Sequence, residues 1–272
     1  MRQIGIIYQP KREEAVSYGQ ELGELLRSKG VHVWLCSAWE PESAKAEIPG
    51  SDLIISIGGD GTILRAAKVI IPEPIPLLGI NFGNLGFMSE LTADEARKKL
   101  PVILKGEGWI EERATLEVKI PGKTYYTLND VFIGRRSSAR LVSLECEIDG
   151  VYFSTYRADG VIIATASGST GYALAAGGPI LNPQSKEIVL QPVCSHFSLD
   201  KPLVLPASTA INLKVLTTHE AMLSLDGQVE FELYSKDRIE IKSSPYVIRF
   251  LRFQSKSYFY ETLDAKLNRK IT

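Results

Sequence analysis

The stretch Leu53-Ile54-Ile55-Ser56-Ile57-Gly58-Gly59-Asp60-Gly61-Thr62-Ile63-Leu64 decides how the first part of this 272-residue chain folds. An apolar run, three glycines around one carboxylate and a second apolar segment predict a strand, a tight loop and a helix. Converging N–H groups of such a loop, together with the helix N-terminus, attract phosphate. Asp60 would repel that phosphate unless it binds a metal ion or takes a proton; alternatively, it only caps the helix.

Strands and helices alternate over about the first hundred residues. Strands are predicted at residues 3–8, 31–36, 53–57 and 76–80, and helices at 11–29, from the glycine loop to about 70, and after a capping box at 92–95. This alternation predicts a parallel sheet, and ligands of such sheets bind at the carboxyl ends of the strands. The glycine loop lies at one of those ends.

The second half of the chain has the two-residue period of antiparallel strands from about Ala114 onward. Asp149-Gly150 and Asp226-Gly227 are typical of two-residue hairpin turns. We therefore expect an α/β domain with a parallel, Rossmann-like sheet at residues 1–110 and an all-β domain at 111–255. A helical tail at 256–272 is expected to pack back on the first domain, and a ligand cleft is expected between the two domains.

Composition excludes several classes of protein. A net charge of −1 gives no reason to expect nucleic acid or an anionic membrane as a partner, and no apolar stretch approaches membrane-spanning length. The three cysteines are far apart and lack metal-ligand spacing, so free thiols in a reducing compartment are expected. Because the N-terminus also lacks signal-peptide anatomy, we expect a cytoplasmic protein.

Packing alone does not readily explain the residues of four further segments. Asn129-Asp130 interrupts an apolar run and is either functional or a strand bulge. The segment from Arg157 to Gly160 carries a basic and an acidic group, which could also form a weak surface ion pair. Thr165–Tyr172 offers four hydroxyls and an aromatic ring that could bind a nucleotide. Asp226-Gly227-Gln228, on its residues alone, is a hairpin turn.

Other chemistries lack support. None of the three histidines has a neighbour at metal-site spacing. The chain has no Gly-x-Ser-x-Gly elbow or paired-cysteine motif, and its glycine loop matches neither a Walker A loop nor Gly-x-Gly-x-x-Gly.

Taken together and in order, the motifs resemble those of the NAD kinase family across nearly the whole chain. They are Gly58–Thr62, Asn81–Phe87, Asn129-Asp130, Asp159-Gly160, Thr165–Tyr172 and Ala175–Pro179. The Gly-Gly-Asp-Gly motif alone is shared with diacylglycerol-type lipid kinases and, more loosely, with phosphofructokinases. The later motifs narrow the resemblance.

The resemblance implies a function. Members of this family use ATP and a divalent cation, usually Mg²⁺, to phosphorylate the 2′-hydroxyl of the adenosine ribose of NAD, which gives NADP. It also implies the two-domain fold predicted above, NAD and ATP as the small-molecule partners, and a homodimer or homotetramer. Neither nucleic acid nor a membrane is an expected partner.

The resemblance also implies roles for individual residues. Asp60 is expected to be catalytic, and the phosphate loop is expected to comprise Gly58, Gly59, Gly61 and Thr62. The residues expected to bind NAD are Asp60, Gly61, Arg65, Asn129, Asp130, Arg140, Arg157, Asp159, Thr170, Gly171, Tyr172, Ala173, Leu174, Ala175 and Gln228. No protein-only metal site is expected, because Mg²⁺ would be bound mainly through the ATP phosphates.

Three departures from the family pattern concern substrate preference and affinity. Asp130 stands where the family usually has Glu, Ala166 where it has Pro, and Gly171 where it has Ala. The sequence also leaves open a lipid kinase of the diacylglycerol or sphingosine type and a non-catalytic dinucleotide sensor. It does not distinguish ATP from polyphosphate as donor, or NAD from NADH as acceptor.

Overall fold

The computed structural model describes residues 1–82, 86–136, 140–196 and 199–267, and the contacts divide the chain into two compact units. The first unit comprises Met1–Glu112 and Ile248–Thr272, and the second comprises Arg113–Val247. Residues 248–255, which the sequence assigned to the β-rich domain, instead belong to the first unit. The reason is that Phe250 pairs with Leu77 in a strand of that unit.

The first unit is an α/β domain, as predicted. Its elements in chain order are β1 (Gln3–Tyr8), α1 (Glu13–Ser28), β2 (His32–Ser37), β3 (Leu53–Ile57), α2 (Asp60–Ile70), β4 (Leu77–Asn81), β5 (Leu91–Thr92), α3 (Ala93–Lys105) and α5 (Tyr258–Leu267). Strands β4, β3, β1 and β2 are hydrogen-bonded in that order, and all of their pairings are parallel. The predicted capping box is present at the start of α3, where Thr92 and Glu95 bond each other's backbone N–H.

The parallel sheet is buried on both faces, which explains its near-continuous apolar strands. All five residues of β3 and all five of β4 are buried. The apolar faces of α1 and α3 pack on the sheet through residues such as Leu22, Leu26 and Leu100. This packing fixes the carboxyl ends of β1, β2 and β3 at one edge of the sheet, where the glycine loop leaves β3.

The second unit is built from antiparallel strands. Its elements are β7 (Lys123–Thr127), β8 (Asp130–Arg135), β9 (Val142–Ile148), β10 (Val151–Ala158), β11 (Gly160–Ala164), α4 (Tyr172–Ala175), β12 (Ile188–Val193), β13 (Leu203–Leu205), β14 (Ala210–Val215), β15 (Ala221–Leu225) and β16 (Val229–Leu233). Two long strands, β6 (Trp109–Ile120) and β17 (Arg238–Arg252), contribute residues to both units.

Two sheets of the second unit share one apolar core. One sheet has the order β13-β12-β11-β8-β15-β16, and the other contains β10-β9-β14-β17 with β6 and β7. Residues such as Val131, Val161, Leu144 and Leu213 come from both sheets and form one buried cluster. The alternating pattern predicted the antiparallel, strand-rich character of this unit, and its last strand, β17, runs without a break from Arg238 to Arg252.

Candidate functional site

The glycine loop between β3 and α2 has a backbone that other residues cannot adopt at its first position. Gly58 has φ +151, and a Cβ there would lie 2.4 Å from the Thr62 hydroxyl oxygen. Its N–H donates to the Ile80 carbonyl, which fixes the loop to β4. Added Cβ atoms at Gly59 and Gly61 would meet nothing within 4 Å, so the loop is open at these two positions.

Asp60 is the first residue of α2, but its side chain does not cap that helix. Its carboxylate accepts hydrogen bonds from the N–H of Phe87 (2.8 Å), the N–H of Met88 (3.3 Å) and the hydroxyl of Ser89 (3.2 Å). An ionised carboxylate has about four acceptor positions. These three bonds from the described residues therefore fix the orientation of the carboxylate and leave one position for a further donor.

Gly86 makes room for that carboxylate. A Cβ at Gly86 would lie 2.2 Å from Asp60 Oδ1, which is far inside contact distance. Position 86 of the motif at 81–87 therefore requires glycine, since the Asp60 carboxylate occupies the space that a side chain would take. Residues 83–85 of the same motif lie outside the described residues.

A buried ionic cluster supports the segment that holds Asp60. Arg252 donates to the Met88 carbonyl (2.8 Å) and pairs with Glu90 and Glu111. Glu90 in turn accepts the N–H of Phe253 (2.6 Å). Because a buried charge is costly without partners, the cluster fixes residues 88–90 to the end of β17.

Arg65, predicted to bind NAD, lies over an indole ring in the first unit. Its guanidinium carbon is 4.2 Å from the centroid of Trp39. Trp39 is 44% exposed, so the pair is at the surface.

In the second unit, one aspartate fixes the predicted Asn129-Asp130 segment. The Asp226 carboxylate accepts the N–H groups of Leu128 (3.0 Å), Asn129 (2.7 Å) and Asp130 (3.0 Å). Asp226 and Gly227 have φ of +51 and +63, as in the predicted hairpin turn. The turn is therefore more than a connection, because its carboxylate holds a segment about 100 residues earlier in the chain.

Asn129 and Asp130 line a pocket of about 390 Å³ that lies within the second unit. The other lining residues are Phe132, Gly171, Tyr172, Met222, Ser224, Asp226 and Gly227. Burial, and then the nearby Asp226 carboxylate, raise the pKa of Asp130 to about 7. The side-chain oxygen of Asn129 is buried and has no hydrogen-bond partner among the residues that the structure describes, which leaves it an acceptor for a ligand.

Two hydroxyls of the stretch Thr165–Tyr172 bond to the protein backbone and not to a ligand. Thr165 donates to the Leu128 carbonyl (2.6 Å), and Ser169 donates to the Ala166 carbonyl (2.7 Å). Both side chains are buried, so these two of the four hydroxyls hold the loop in place. A Cβ at Gly168 would lie 2.1 Å from the Asn129 carbonyl oxygen, so this loop packs directly against the backbone of the pocket.

Tyr172 presents its ring at the pocket. The ring is 5.3 Å from that of Phe132, and 45% of the residue is exposed. Desolvation, followed by the negative charge of Asp159, raises the pKa of the phenol. Asp159 itself pairs with Arg135 (3.0 Å), not with the Arg157 that precedes it in the chain.

The remaining residues predicted to bind NAD in the second unit are not among those that line the pocket. Thr170 donates to the Ser167 carbonyl (3.2 Å), and Ala173 is buried in an apolar cluster between α4 and the neighbouring strands. Arg140, Arg157 and Ala175 are exposed, whereas Leu174 and Gln228 are half-buried. None of these five lines the pocket.

The contacts of Asp226, Gly86 and Arg135 at the candidate site were not predicted from the sequence. The sequence Asp226-Gly227 is typical of a hairpin turn, so no further role of Asp226 was predicted. Gly86 and Arg135 contact residues that are distant in sequence. Among the described residues, no group of three or more His, Cys, Asp or Glu side chains is arranged to hold a metal ion. In the same residues, no helix is long and apolar enough to cross a membrane.

Comparisons with known proteins found matches over most of the chain. Residues 34–108 match the family model of the ATP-NAD kinase N-terminal domain, and residues 128–253 match that of the C-terminal domain. An NAD kinase of Dehalococcoides mccartyi is 40% identical over 98% of this chain and 96% of its own length. An NAD kinase of Chloroflexus aurantiacus is 34% identical over 99% of each chain.

Two solved structures are similar to the chain over nearly its full length. Yeast NADH kinase complexed with NADH has a TM-score of 0.84 and 25% identity, covering 100% of this chain and 89% of the yeast chain. An NAD kinase from Archaeoglobus fulgidus in complex with ATP has a TM-score of 0.78 and 26% identity, covering 98% of each chain.

Proposed function

The chain belongs to the NAD kinase family, and on that premise we propose that it transfers a phosphoryl group from ATP to NAD. The acceptor is the 2′-hydroxyl of the adenosine ribose, and the products are NADP and ADP. A lipid acceptor, which the glycine loop alone left open, has no support from these matches, since both domains match NAD kinase models.

The observation that carries this proposal is the fixed carboxylate of Asp60 within the glycine loop. Phosphoryl transfer depends mainly on positioning and on neutralising charge. The glycine-loop amides bind donor phosphates at the α2 N-terminus. Asp60 uses its remaining acceptor position for the ribose hydroxyl, whose orientation it thereby sets.

The reaction exchanges one phosphorus–oxygen bond for another. The ribose oxygen forms a bond to the γ-phosphorus, the bond from that phosphorus to ADP breaks, and the hydroxyl proton passes to Asp60. A carboxylate is a weak base for a free alcohol, so Asp60 takes the proton late in the transfer, once bond formation has made the hydroxyl more acidic. Much of its contribution is therefore orientation.

We assign NAD binding mainly to the pocket of the second unit. Asn129 offers its unpartnered side-chain oxygen, Tyr172 its exposed ring and Asp130 a carboxyl group to the nucleotide. Asp159 and Gly171 border this region, whereas Thr170 and Ala173 position the loop that forms it. Arg140, Arg157 and Gln228 remain proposed contacts of the more distant parts of NAD.

A divalent cation, Mg²⁺ in the simplest case, completes the proposal. It would neutralise the phosphate charge that develops during transfer. In this proposal the donor phosphates supply most of its ligands. We also propose a cytoplasmic homo-oligomer, either a dimer or a tetramer; the three cysteines are free thiols, as is usual in a reducing compartment.

The test is an assay of the purified protein with ATP, Mg²⁺ and either NAD or NADH, scored for the phosphorylated dinucleotide. NADP formation that depends on ATP is the expected result. NAD binding without any ATP-dependent product would contradict the proposal and favour a non-catalytic sensor.

A further inference from the structure

Three side chains beside the glycine loop have no role in the mechanism above. Lys11 follows β1, Trp39 follows β2, and Arg65 lies in α2, one helical turn after the loop. We refer to these three residues as the Trp39 cluster. Because β1, β2 and β3 are parallel neighbours, the ends of β1 and β2 lie at the same sheet edge as the glycine loop.

Trp39 holds two cations and is itself held in place. The Lys11 ammonium is 4.5 Å and the Arg65 guanidinium carbon 4.2 Å from the centroid of the Trp39 ring. The indole N–H donates to the side-chain oxygen of Gln9 at 2.8 Å. Gln9 also borders the glycine loop, since a Cβ at Gly58 would lie 3.1 Å from the Gln9 Cβ.

The described side chains do not neutralise the positive charge of the cluster. Among the side chains that the structure describes, no carboxylate lies within ion-pair distance of Lys11 or Arg65, whereas Arg97, Arg135, Arg136 and Arg249 all have such partners. Two cations over one ring are closer together than the Debye length of about 10 Å at 0.1 M salt, so they repel each other. A bound anion would remove that repulsion.

We propose that the Trp39 cluster binds the phosphoanhydride chain of the phosphoryl donor. Arginine can bind phosphate through two parallel hydrogen bonds, and lysine binds it as a point charge. The glycine loop beside the cluster is open at Gly59 and Gly61. Arg65 is thereby assigned to the donor and not to NAD. The assignment rests on the proposed function only for identifying this anion as the donor.

Both ATP and inorganic polyphosphate carry such a chain, so binding is measured with each. Fluorescence of Trp39 is followed during titration with ATP or tripolyphosphate in the absence of NAD, and Trp39→Phe supplies the background of Trp34 and Trp109. We expect each of Lys11→Gln and Arg65→Gln to weaken the binding of both anions about tenfold, and the double variant to weaken it further. Lys256→Gln is the matched control, because Lys256 lies over a different indole, that of Trp109.

Steady-state kinetics provide a second, independent measurement on the same variants. The KM for ATP should rise about tenfold in each single variant, while the KM for NAD and kcat stay within twofold of the wild type. Unchanged binding of both anions in the double variant would overturn the proposal, as would weaker binding of ATP alone. If the wild type forms no NADP, the proposed function fails, but the anion titrations still test the cluster.

Discussion

Asp60 in the first unit and Asp226 in the second are both bonded to backbone N–H groups, and the two arrangements work in opposite directions. In the first unit, the backbone of Phe87 and Met88 orients the carboxylate of Asp60. In the second unit, the carboxylate of Asp226 orients the backbone of Leu128, Asn129 and Asp130. The bonds are of the same kind, but the group that is being positioned differs.

Because of this difference, we assign Asp60 to the chemical step and Asp226 to NAD binding. Asp60 keeps one acceptor position and lies within a loop suited to phosphate, so its loss should act on turnover. Asp226 uses its carboxylate to hold Asn129 and Asp130 at the edge of a pocket, so its loss should act on NAD affinity and on stability.

Replacing Asp60 should have the largest effect. We expect Asp60→Asn to lower kcat by about 10²–10⁴, because the acceptor and orienting group for the reacting hydroxyl is lost. Asp52→Asn is the control, since Asp52 also accepts two backbone N–H groups in the first unit but lies outside the proposed site. Steady-state NADP formation measures both variants, and circular dichroism verifies that each is folded.

Gly86→Ala should reproduce part of that loss without changing the carboxylate chemically. The new methyl group would lie 2.2 Å from Asp60 Oδ1, so the carboxylate must leave its position. We expect kcat to fall at least about tenfold, since misplacement by about 1 Å is costly. Gly19→Ala in α1 is the control, because its nearest neighbour would be 3.6 Å away. Wild-type turnover in Gly86→Ala would show that the orientation of Asp60 is unimportant.

Asp226→Ala should lower stability and raise the KM for NAD. Three N–H groups lose a charged acceptor, and we expect the free energy of unfolding to fall by about 2–4 kcal/mol. Asp149→Ala is closely matched, because Asp149 has φ +51 in the other Asp-Gly hairpin and accepts one N–H, that of Ala210 (2.8 Å). Urea unfolding should show a loss of only about 1 kcal/mol for that control. Equal losses of stability in Asp226→Ala and Asp149→Ala would contradict the role of Asp226 in fixing residues 128–130.

Asp130→Asn should have the smallest effect, and one that depends on pH. The pKa of Asp130 is raised to about 7, so the folded state binds a proton between about pH 4 and pH 7 that the unfolded state has released. Stability contributed by this group is therefore lost as the pH rises through that interval. We expect Asp130→Asn to be more stable than the wild type by about 1–3 kcal/mol at pH 8 and equally stable near pH 4. A constant difference across this pH range would show that Asp130 does not titrate there.

Much of the fold could be predicted from local pattern. The glycine loop, the parallel strands around it and the antiparallel second half follow from apolar periodicity and from turn residues, which are local signals. The capping box at Thr92 and the hairpin at Asp226-Gly227 were predicted for the same reason.

The site was predicted less completely, because its bonds join distant segments. Asp226 and its three donors are 96 to 98 residues apart, and no local signal relates them. The buried hydroxyls of Thr165 and Ser169 were expected to meet a ligand, but burial turns them toward carbonyl groups of the protein. Ionic partners such as Arg135 for Asp159 depend on strand neighbours that only the sheet order defines.

The most direct test of the contrast compares Asp60→Asn with Asp226→Asn, in which Asn-Gly retains the hairpin turn. NAD affinity is measured by calorimetry without ATP, and NADP formation is measured in a single turnover with both substrates saturating. We predict that Asp60→Asn binds NAD within about threefold of the wild type but loses at least 10² in the single-turnover rate. Asp226→Asn should bind NAD about tenfold more weakly and keep its single-turnover rate within threefold. A near-normal rate in folded Asp60→Asn would contradict the assignment of this carboxylate to the chemistry.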